Sequence, residues 1–180
     1  MKRSVKAVAV LTLLCAVVAA LLGTANYFTA GKIAENQERS RDEARSAVLP
    51  DGEYTFAEVS SARLPEGSSV TAAWEAKQNG ETVAYVFQME TKGYASGLVL
   101  MCGISAEGRV TGTETVSSSE TPSLGGKTER DAYKDQYVGL GENDLSSVDG
   151  ISGATKTSLA YRNAVADAFL AYQIITGGER

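Results

Sequence analysis

The chain has 180 residues, which suits one modest domain with short appendages, and its 17 basic and 22 acidic residues give a net charge of −5. Four basic residues and no acidic residue precede Ile33, so the remainder has an acidic excess that argues against nucleic-acid binding. The chain contains no histidine, which excludes Ser-His-Asp and Cys-His catalysis within it. Two isolated cysteines, Cys15 in an apolar run and Cys102 far from it, predict neither a disulfide nor a metal site.

The first predicted element is a membrane-spanning helix. Residues 7–31 carry no charge and are mostly apolar, and a helix needs about 20 such residues to cross the hydrocarbon core. Tyr27 and Phe28 are placed to lie at the far interface. We therefore assign residues 1–31 to a cytoplasmic start and a transmembrane anchor.

The charges around the anchor predict its orientation. Three basic residues precede it: Lys2, Arg3 and Lys6. Positive charge favours the cytoplasmic side, so the N-terminus is predicted in the cytoplasm and the C-terminal domain outside it, on the cell (inner) membrane. A cleaved signal peptide is the alternative, since it has a similar charged start and apolar run.

After the anchor, residues 32–50 are predicted to form a helical stalk. Lys32 to Val48 is rich in Glu, Arg, Ala and Gln, which favour helix, and the turn residues Pro50-Asp51-Gly52 end it. Residues 51–180 form the remaining domain. Its first part, from Tyr54 to Ala76, mixes short strand-like pieces with a loop at Leu64–Ser68.

A series of strands follows. Asn79-Gly80 is a hairpin dipeptide, and it leads into the β-branched and aromatic run Thr82–Met89. Gly97–Ile104 is typical of a second, buried strand, and Arg109–Val116 alternates like a half-exposed one. These runs predict an antiparallel meander.

The last predicted element is a helix from Thr157 to Thr176. Its larger apolar side chains recur at spacings of three and four: Tyr161, Val165, Ala168, Phe169, Tyr172 and Ile175. This stripe predicts packing against the sheet, and Gly177-Gly178 is typical of a helix C-cap. The fold class is therefore α+β: a single N-terminal transmembrane helix, then an extracytoplasmic domain with an antiparallel sheet and a C-terminal packing helix.

The segment from Asp149 to Ser158 holds the candidate chemistry. Gly150 and Gly153 permit a tight turn just before the helix, and Thr157 or Ser158 is expected to cap it. Amides at a helix start favour a phosphate, and a threonine hydroxyl there can hydrogen-bond it or be esterified to it. From these properties alone, an ordinary capped turn remains the alternative.

The residues Asp149-Gly150-Ile151-Ser152-Gly153-Ala154-Thr155 resemble the flavinylation motif of FMN-binding domains, such as those of the Rnf G subunit and of the C subunit of the Na+-translocating NADH:quinone reductase. The resemblance implies that Thr155 is esterified to the FMN phosphate. It also implies that a flavin transferase, using FAD and Mg2+, recognises Asp149 with Gly150. Thr157 is the local competitor for the modification.

A second match, Glu120-Thr121-Pro122-Ser123-Leu124-Gly125, resembles the family's E-T-P-G-L-G loop near the flavin, with Ser123 at the usual glycine. Lys92-Gly93-Tyr94, Gly97 and Glu107-Gly108 also resemble the family, which covers residues 83–176, the expected FMN-binding core. The residues expected around the cofactor are Ser152, Gly153, Ala154, Thr155, Thr157, Ser158, Glu120, Thr121, Leu124 and Gly125. No catalytic residue and no metal ligand is predicted.

The resemblance implies an electron-transfer subunit carrying covalent FMN in an ion-translocating ferredoxin:NAD oxidoreductase complex. The expected partners are other membrane subunits and, during maturation, the flavin transferase. The chain has no Gly-rich dinucleotide fingerprint and no cysteine cluster, so NAD and iron–sulfur clusters are expected elsewhere in the complex. Three alternatives stay open: a subunit of the quinone reductase, a stand-alone extracellular flavin carrier, and a non-redox membrane-anchored binding module.

Overall fold

A computed structural model describes residues 2–177. Its contacts divide the chain into two units, one ending at Ser40 and the other beginning at Arg41. The first unit lies within helix α1 (Lys2–Ala47). From Val8 to Ile33, the apolar residues of this helix are exposed, and the helix is long and apolar enough, by length and composition, to cross a membrane. The predicted apolar helix and the predicted charged helix after it are thus parts of one element.

The second unit is built on a five-stranded antiparallel sheet in the order β1-β2-β3-β4-β5. The strands are β1 (Thr55–Glu58), β2 (Val70–Gln78), β3 (Glu81–Thr91), β4 (Leu98–Ser105) and β5 (Val110–Ser117). Asn79 and Gly80 have φ values of 53° and 88°, as the two central residues of a type I′ hairpin require. The predicted meander and its Asn79-Gly80 hairpin are confirmed.

The segment between β5 and the last helix contains several 3-10 turns joined by irregular loops. It contains the turns Gly125–Glu129, Asp135–Tyr137 and Glu142–Ser147 and one short helix, α2 (Asp131–Lys134). Helix α3 (Thr155–Thr176) follows and ends at Gly177, whose φ of 71° makes it a left-handed C-cap. Gly178, the other predicted C-cap residue, lies outside the described residues.

The core on one face of the sheet lies under α3. Alternate residues of the strands, such as Phe87 and Met89 of β3 and Leu100 and Cys102 of β4, face this helix and are buried. The predicted stripe of α3 packs against them, with Tyr172 only partly buried. The apolar spacing of α3 is therefore explained by packing against the sheet.

The opposite face holds a smaller core. Val86 and Met101 point to this side, where Val48 and Leu49, just after α1, cover them. The guanidinium of Arg45 lies 4.1 Å from the ring centre of Trp74, over its face. Both faces of the sheet are thus covered within the second unit, which leaves the ends of the strands as the place for a site.

One predicted helix boundary is wrong. Helix α3 begins at Thr155, two residues before the predicted start, and its N-cap residue is Ala154, which has no side chain able to cap. Neither Thr157 nor Ser158 caps the helix, because both lie inside its first turn with hydroxyls bonded elsewhere. The cap preferences of Ser and Thr indicate the wrong residues here, because the Thr157 hydroxyl bonds Glu120 and the Ser158 hydroxyl bonds the preceding turn.

Candidate functional site

A tight turn from Ile151 to Ala154 comes directly before α3. The N–H of Ala154 donates to the carbonyl of Ile151 across 2.9 Å, and Gly153 has a φ of 81°. That left-handed conformation favours glycine at the third position of such a turn. The Ile151 N–H also donates to Ser158 Oγ, 3.0 Å away, which ties the turn to the helix it precedes.

The first turn of α3 presents two threonine hydroxyls in different surroundings. Thr155 is exposed, and within residues 2–177 no hydrogen bond engages its hydroxyl. Thr157 is 1% exposed, and its hydroxyl donates to Glu120 Oε2 across 2.9 Å. Of the two, only Thr155 therefore offers a free hydroxyl to a molecule from outside.

Thr155 lies on a cleft of about 520 Å3. Three segments wall this cleft: the loop after β3 at Tyr94, the loop Glu120–Gly125, and residues 153–157 at the start of α3. Tyr94 is 77% exposed and Leu124 is 45% exposed, so an aromatic ring and an aliphatic side chain border the opening. The volume lies within the range typical of sites for small organic ligands.

A smaller depression of about 290 Å3 also borders Thr155. Gly150, Ile151 and Ser152 line it together with Ser158 and Arg162 of α3. Thr155 belongs to both linings. A group attached to its hydroxyl would thus lie next to both depressions.

A cluster of three tyrosine rings supports the start of α3 from within. The ring centres of Tyr133, Tyr137 and Tyr161 lie 5.3 to 5.8 Å apart, and Tyr133 OH lies 3.2 Å from Tyr137 OH. Tyr133 also donates weakly to the carbonyl of Ser158 at 3.4 Å. Burial raises the pKa of Tyr137 and of Tyr161, so these phenols stay neutral. They support the helix through packing and are not reactive groups.

Residues 93–169 match the FMN-binding domain family. The G subunit of the Na+-translocating ferredoxin:NAD+ oxidoreductase complex of Acetobacterium woodii is 31% identical over 181 residues, covering 94% of this chain and 84% of that protein. This chain belongs to the G-subunit family of ion-translocating oxidoreductase complexes.

Two further members extend the comparison. The G subunit of the proton-translocating ferredoxin:NAD+ oxidoreductase complex of Clostridium ljungdahlii is 26% identical over 94% of this chain and 91% of that protein. The G subunit of the ion-translocating oxidoreductase complex of Methanosarcina acetivorans is 29% identical over 91% of this chain and 92% of that protein. The resemblance drawn from the two motifs is confirmed, and with it the FMN-binding domain.

The structure shows where each predicted site residue lies. The main cleft brings together most of them: Glu120, Thr121, Leu124, Gly125, Gly153, Ala154, Thr155 and Thr157. Ser152 and Ser158, with Gly150, line the smaller depression instead. Asp149 lines neither; its side chain is exposed, and its N–H donates to Gln136 Oε1.

Ser123, the departure from the family pattern, leaves the loop intact. The Leu124 N–H donates to the Thr121 carbonyl across 2.9 Å, which closes a turn with Pro122 and Ser123 at its centre. Among residues 2–177, Asn79 is the only non-glycine residue with a positive φ, so Ser123 adopts an ordinary conformation. Glycine is therefore not required at this position of the turn.

The cleft contains two residues that the sequence did not mark as part of the site. The sequence indicates Tyr94 only through the family resemblance of Lys92-Gly93-Tyr94, and Lys156 only as part of the segment from Asp149 to Ser158, yet both line the cleft. The Lys156 ammonium lies 6.0 Å from the centre of the Tyr94 ring, so the two residues meet across the cleft. An exposed aromatic residue beside a glycine was the available signal for Tyr94.

Proposed function

We propose that this protein is a flavin electron-transfer subunit of a membrane ion-translocating oxidoreductase complex and that it carries FMN as a phosphoester on Thr155. The observation that carries the proposal is the free, exposed hydroxyl of Thr155 on a ligand-sized cleft within the FMN-binding match. The bound flavin would supply one- or two-electron redox chemistry, and the protein would hold it in place.

The start of α3 suits the phosphate of the ester. The first amides of a helix have no partners within it, and together with the helix dipole they favour a negative group. Ala154 brings no side-chain oxygen to compete for these amides. Lys156 in the main cleft and Arg162 in the smaller depression add positive charge to the two surfaces that Thr155 borders.

The main cleft suits the ring system of the flavin. Tyr94 offers an aromatic face, and Leu124 offers an apolar one at the edge of the same opening. Flat aromatic ligands gain from such contacts, which exclude water from one side of the ring. Because both side chains are substantially exposed, a ring bound between them would stay accessible to redox partners.

The apolar helix suits a membrane anchor. We assign residues 1–31 to the cytoplasmic start and anchor, residues 32–50 to a stalk, and residues 51–180 to the extracytoplasmic domain with its FMN-binding core at 83–176. The basic residues before the apolar run support this orientation. The apolar run has no charged residue, so ion movement is assigned to other subunits.

Maturation would need a flavin transferase. Asp149 is exposed beside the turn that presents Thr155, and its side chain makes no hydrogen bond within the described residues. A carboxylate in this position is available to another protein. We therefore assign Asp149, with Gly150, to recognition by the transferase.

Fluorescence of the protein in a denaturing gel tests the covalent attachment. The full-length chain is produced in membranes together with a flavin transferase, as wild type, Thr155→Val and Thr157→Val. Flavin fluorescence that survives denaturation in wild type and Thr157→Val, and disappears in Thr155→Val, supports the proposal. A fluorescent Thr155→Val band, or a dark wild-type band, contradicts it.

A further inference from the structure

A buried glutamate lines the main cleft. Glu120 is 8% exposed, and both of its oxygens accept hydrogen bonds. Oε1 accepts from the Ala95 N–H across 2.9 Å, and Oε2 accepts from the Thr157 hydroxyl across 2.9 Å. One side chain thus joins the three segments that wall the cleft.

Two glycines form the slot for this carboxylate. A Cβ atom at Gly93 would lie 2.5 Å from Glu120 Oε1, and one at Gly125 would lie closer still to Oε2 and 2.8 Å from Thr157 Oγ1. Neither position tolerates a side chain while the carboxylate stays in place. Gly93, Gly125 and Thr157, which come from three separate segments of the chain, therefore pack closely around the Glu120 carboxylate.

Glu120 has no ion-pair partner among the described residues. The ion pairs of residues 2–177 do not include Glu120, and Lys156, which lies on the same cleft, is exposed beside Tyr94. A buried charge without an ion-pair partner acts strongly on neighbouring groups, because little solvent screens it. Neutral residues would connect the loops without this effect.

We propose that Glu120 is a positioning residue that fixes the direction of Thr155 through Thr157, and that its negative charge keeps the midpoint potential of the attached flavin low. The inference rests on the proposed flavin site. Thr157 lies in the same helical turn as Thr155. The hydrogen bond that holds the Thr157 hydroxyl therefore also fixes the backbone of Thr155, the proposed point of flavin attachment. The carboxylate opposes the electron density that a flavin gains on reduction, so its charge disfavours the reduced form.

Glutamine separates these two roles. The side-chain oxygen of Glu120→Gln can still accept from the Ala95 N–H, and its amide can donate to Thr157 Oγ1. Glu120→Ala removes both hydrogen bonds. Glu129→Gln is the matched control, because Glu129 is exposed at the end of the 3-10 turn that follows this loop and does not line the cleft.

The test uses the full-length protein in membranes with the transferase. Flavin attachment is followed by gel fluorescence over time, and the midpoint potential is measured by redox titration of the flavin absorbance. We expect Glu120→Ala to slow attachment by about tenfold or more, since loss of a positioned group typically costs this much. Glu120→Gln should attach flavin at nearly the wild-type rate but show a higher midpoint potential, and Glu129→Gln should match wild type in both measurements.

Two results overturn the inference: attachment at the wild-type rate in Glu120→Ala, or an unchanged potential in Glu120→Gln. If Glu120→Ala does not fold, Thr157→Val tests the same connection, and wild-type kinetics there would overturn the inference equally. Absence of flavin from the wild-type protein would instead remove the proposed function. The two failures are therefore distinguishable.

Discussion

Two threonines in the first turn of α3 have the same side chain but different exposure and hydrogen bonding. Thr155 is exposed with a free hydroxyl, whereas Thr157 is 1% exposed with its hydroxyl bonded to Glu120. Two residues along a helix are about 200° apart around its axis, so the two side chains point to opposite sides. The comparison shows that the environment, rather than the residue type, decides which hydroxyl is available for modification.

The largest expected effect is the loss of covalent flavin when Thr155, rather than Thr157, is replaced. Thr155→Val should abolish covalent flavin, while the free energy of unfolding changes by less than about 0.5 kcal/mol, because the side chain is exposed and unbonded. Thr155→Ser keeps a hydroxyl and should retain flavin. Gel fluorescence and thermal unfolding of the detergent-solubilised protein measure the two effects, and a strongly destabilised Thr155→Val would mean that the hydroxyl has a structural role.

The next effect concerns the slot around the buried partner of Thr157. Gly125→Ala places a methyl group against the Glu120 carboxylate and should lower the free energy of unfolding by about 3 kcal/mol. The neighbouring Gly126→Ala is the control, since its Cβ would lie 3.4 Å from the nearest atom, the Thr121 carbonyl oxygen. Equal stability of the two variants in chemical denaturation would show that the slot is loose.

Thr157→Val tests the hydrogen bond of the buried threonine. It preserves the shape of the side chain but leaves Glu120 Oε2 without its hydroxyl donor, so we expect a loss of about 1–2 kcal/mol in the free energy of unfolding. Covalent flavin should still form, more slowly, on Thr155. Denaturant titration gives the energy, and a stability equal to wild type would argue that the hydrogen bond is not retained in solution.

Cys102 extends the comparison to a nucleophile that burial makes inert. Burial raises its pKa from 9.0 to about 12, so the folded state keeps the thiol neutral where the unfolded state ionises. The contribution of this thiol to the free energy of unfolding is therefore fully present below pH 9 and is lost as the pH rises towards 12. In a Cys15→Ser background at about pH 9, iodoacetamide should label Cys102 only after denaturation, and rapid labelling of the folded protein would contradict this.

Much of the fold could be predicted from local patterns. The β-branched and aromatic content of β3, the Asn79-Gly80 hairpin and the apolar stripe of α3 are each set by neighbouring residues, so the sequence displays them directly. The 3-10 segment from Gly125 to Ser147 was not predicted. Its packing depends on Tyr133 and Tyr137 meeting Tyr161 of α3, which no local pattern reveals.

The candidate site was predictable to the same extent. The motif before α3 marked Thr155, and the Glu120–Gly125 loop marked a second wall of the cleft. The start of α3 was misplaced because Thr157 has the residue type of a cap, yet it bonds a carboxylate 37 residues away in the chain. That contact, like the meeting of Tyr94 and Lys156, exists only after the strands and helix have packed.

Mass spectrometry of the protein from native membranes tests the central claim most directly. The fragment spanning Asp149 to Arg162 contains Thr155, Thr157 and Ser158, and fragmentation distinguishes them. We expect a mass increase equal to FMN less one water, located on Thr155. An unmodified fragment in cells with an active flavin transferase, or the same mass on Thr157, would contradict the claim that the free hydroxyl is the point of attachment.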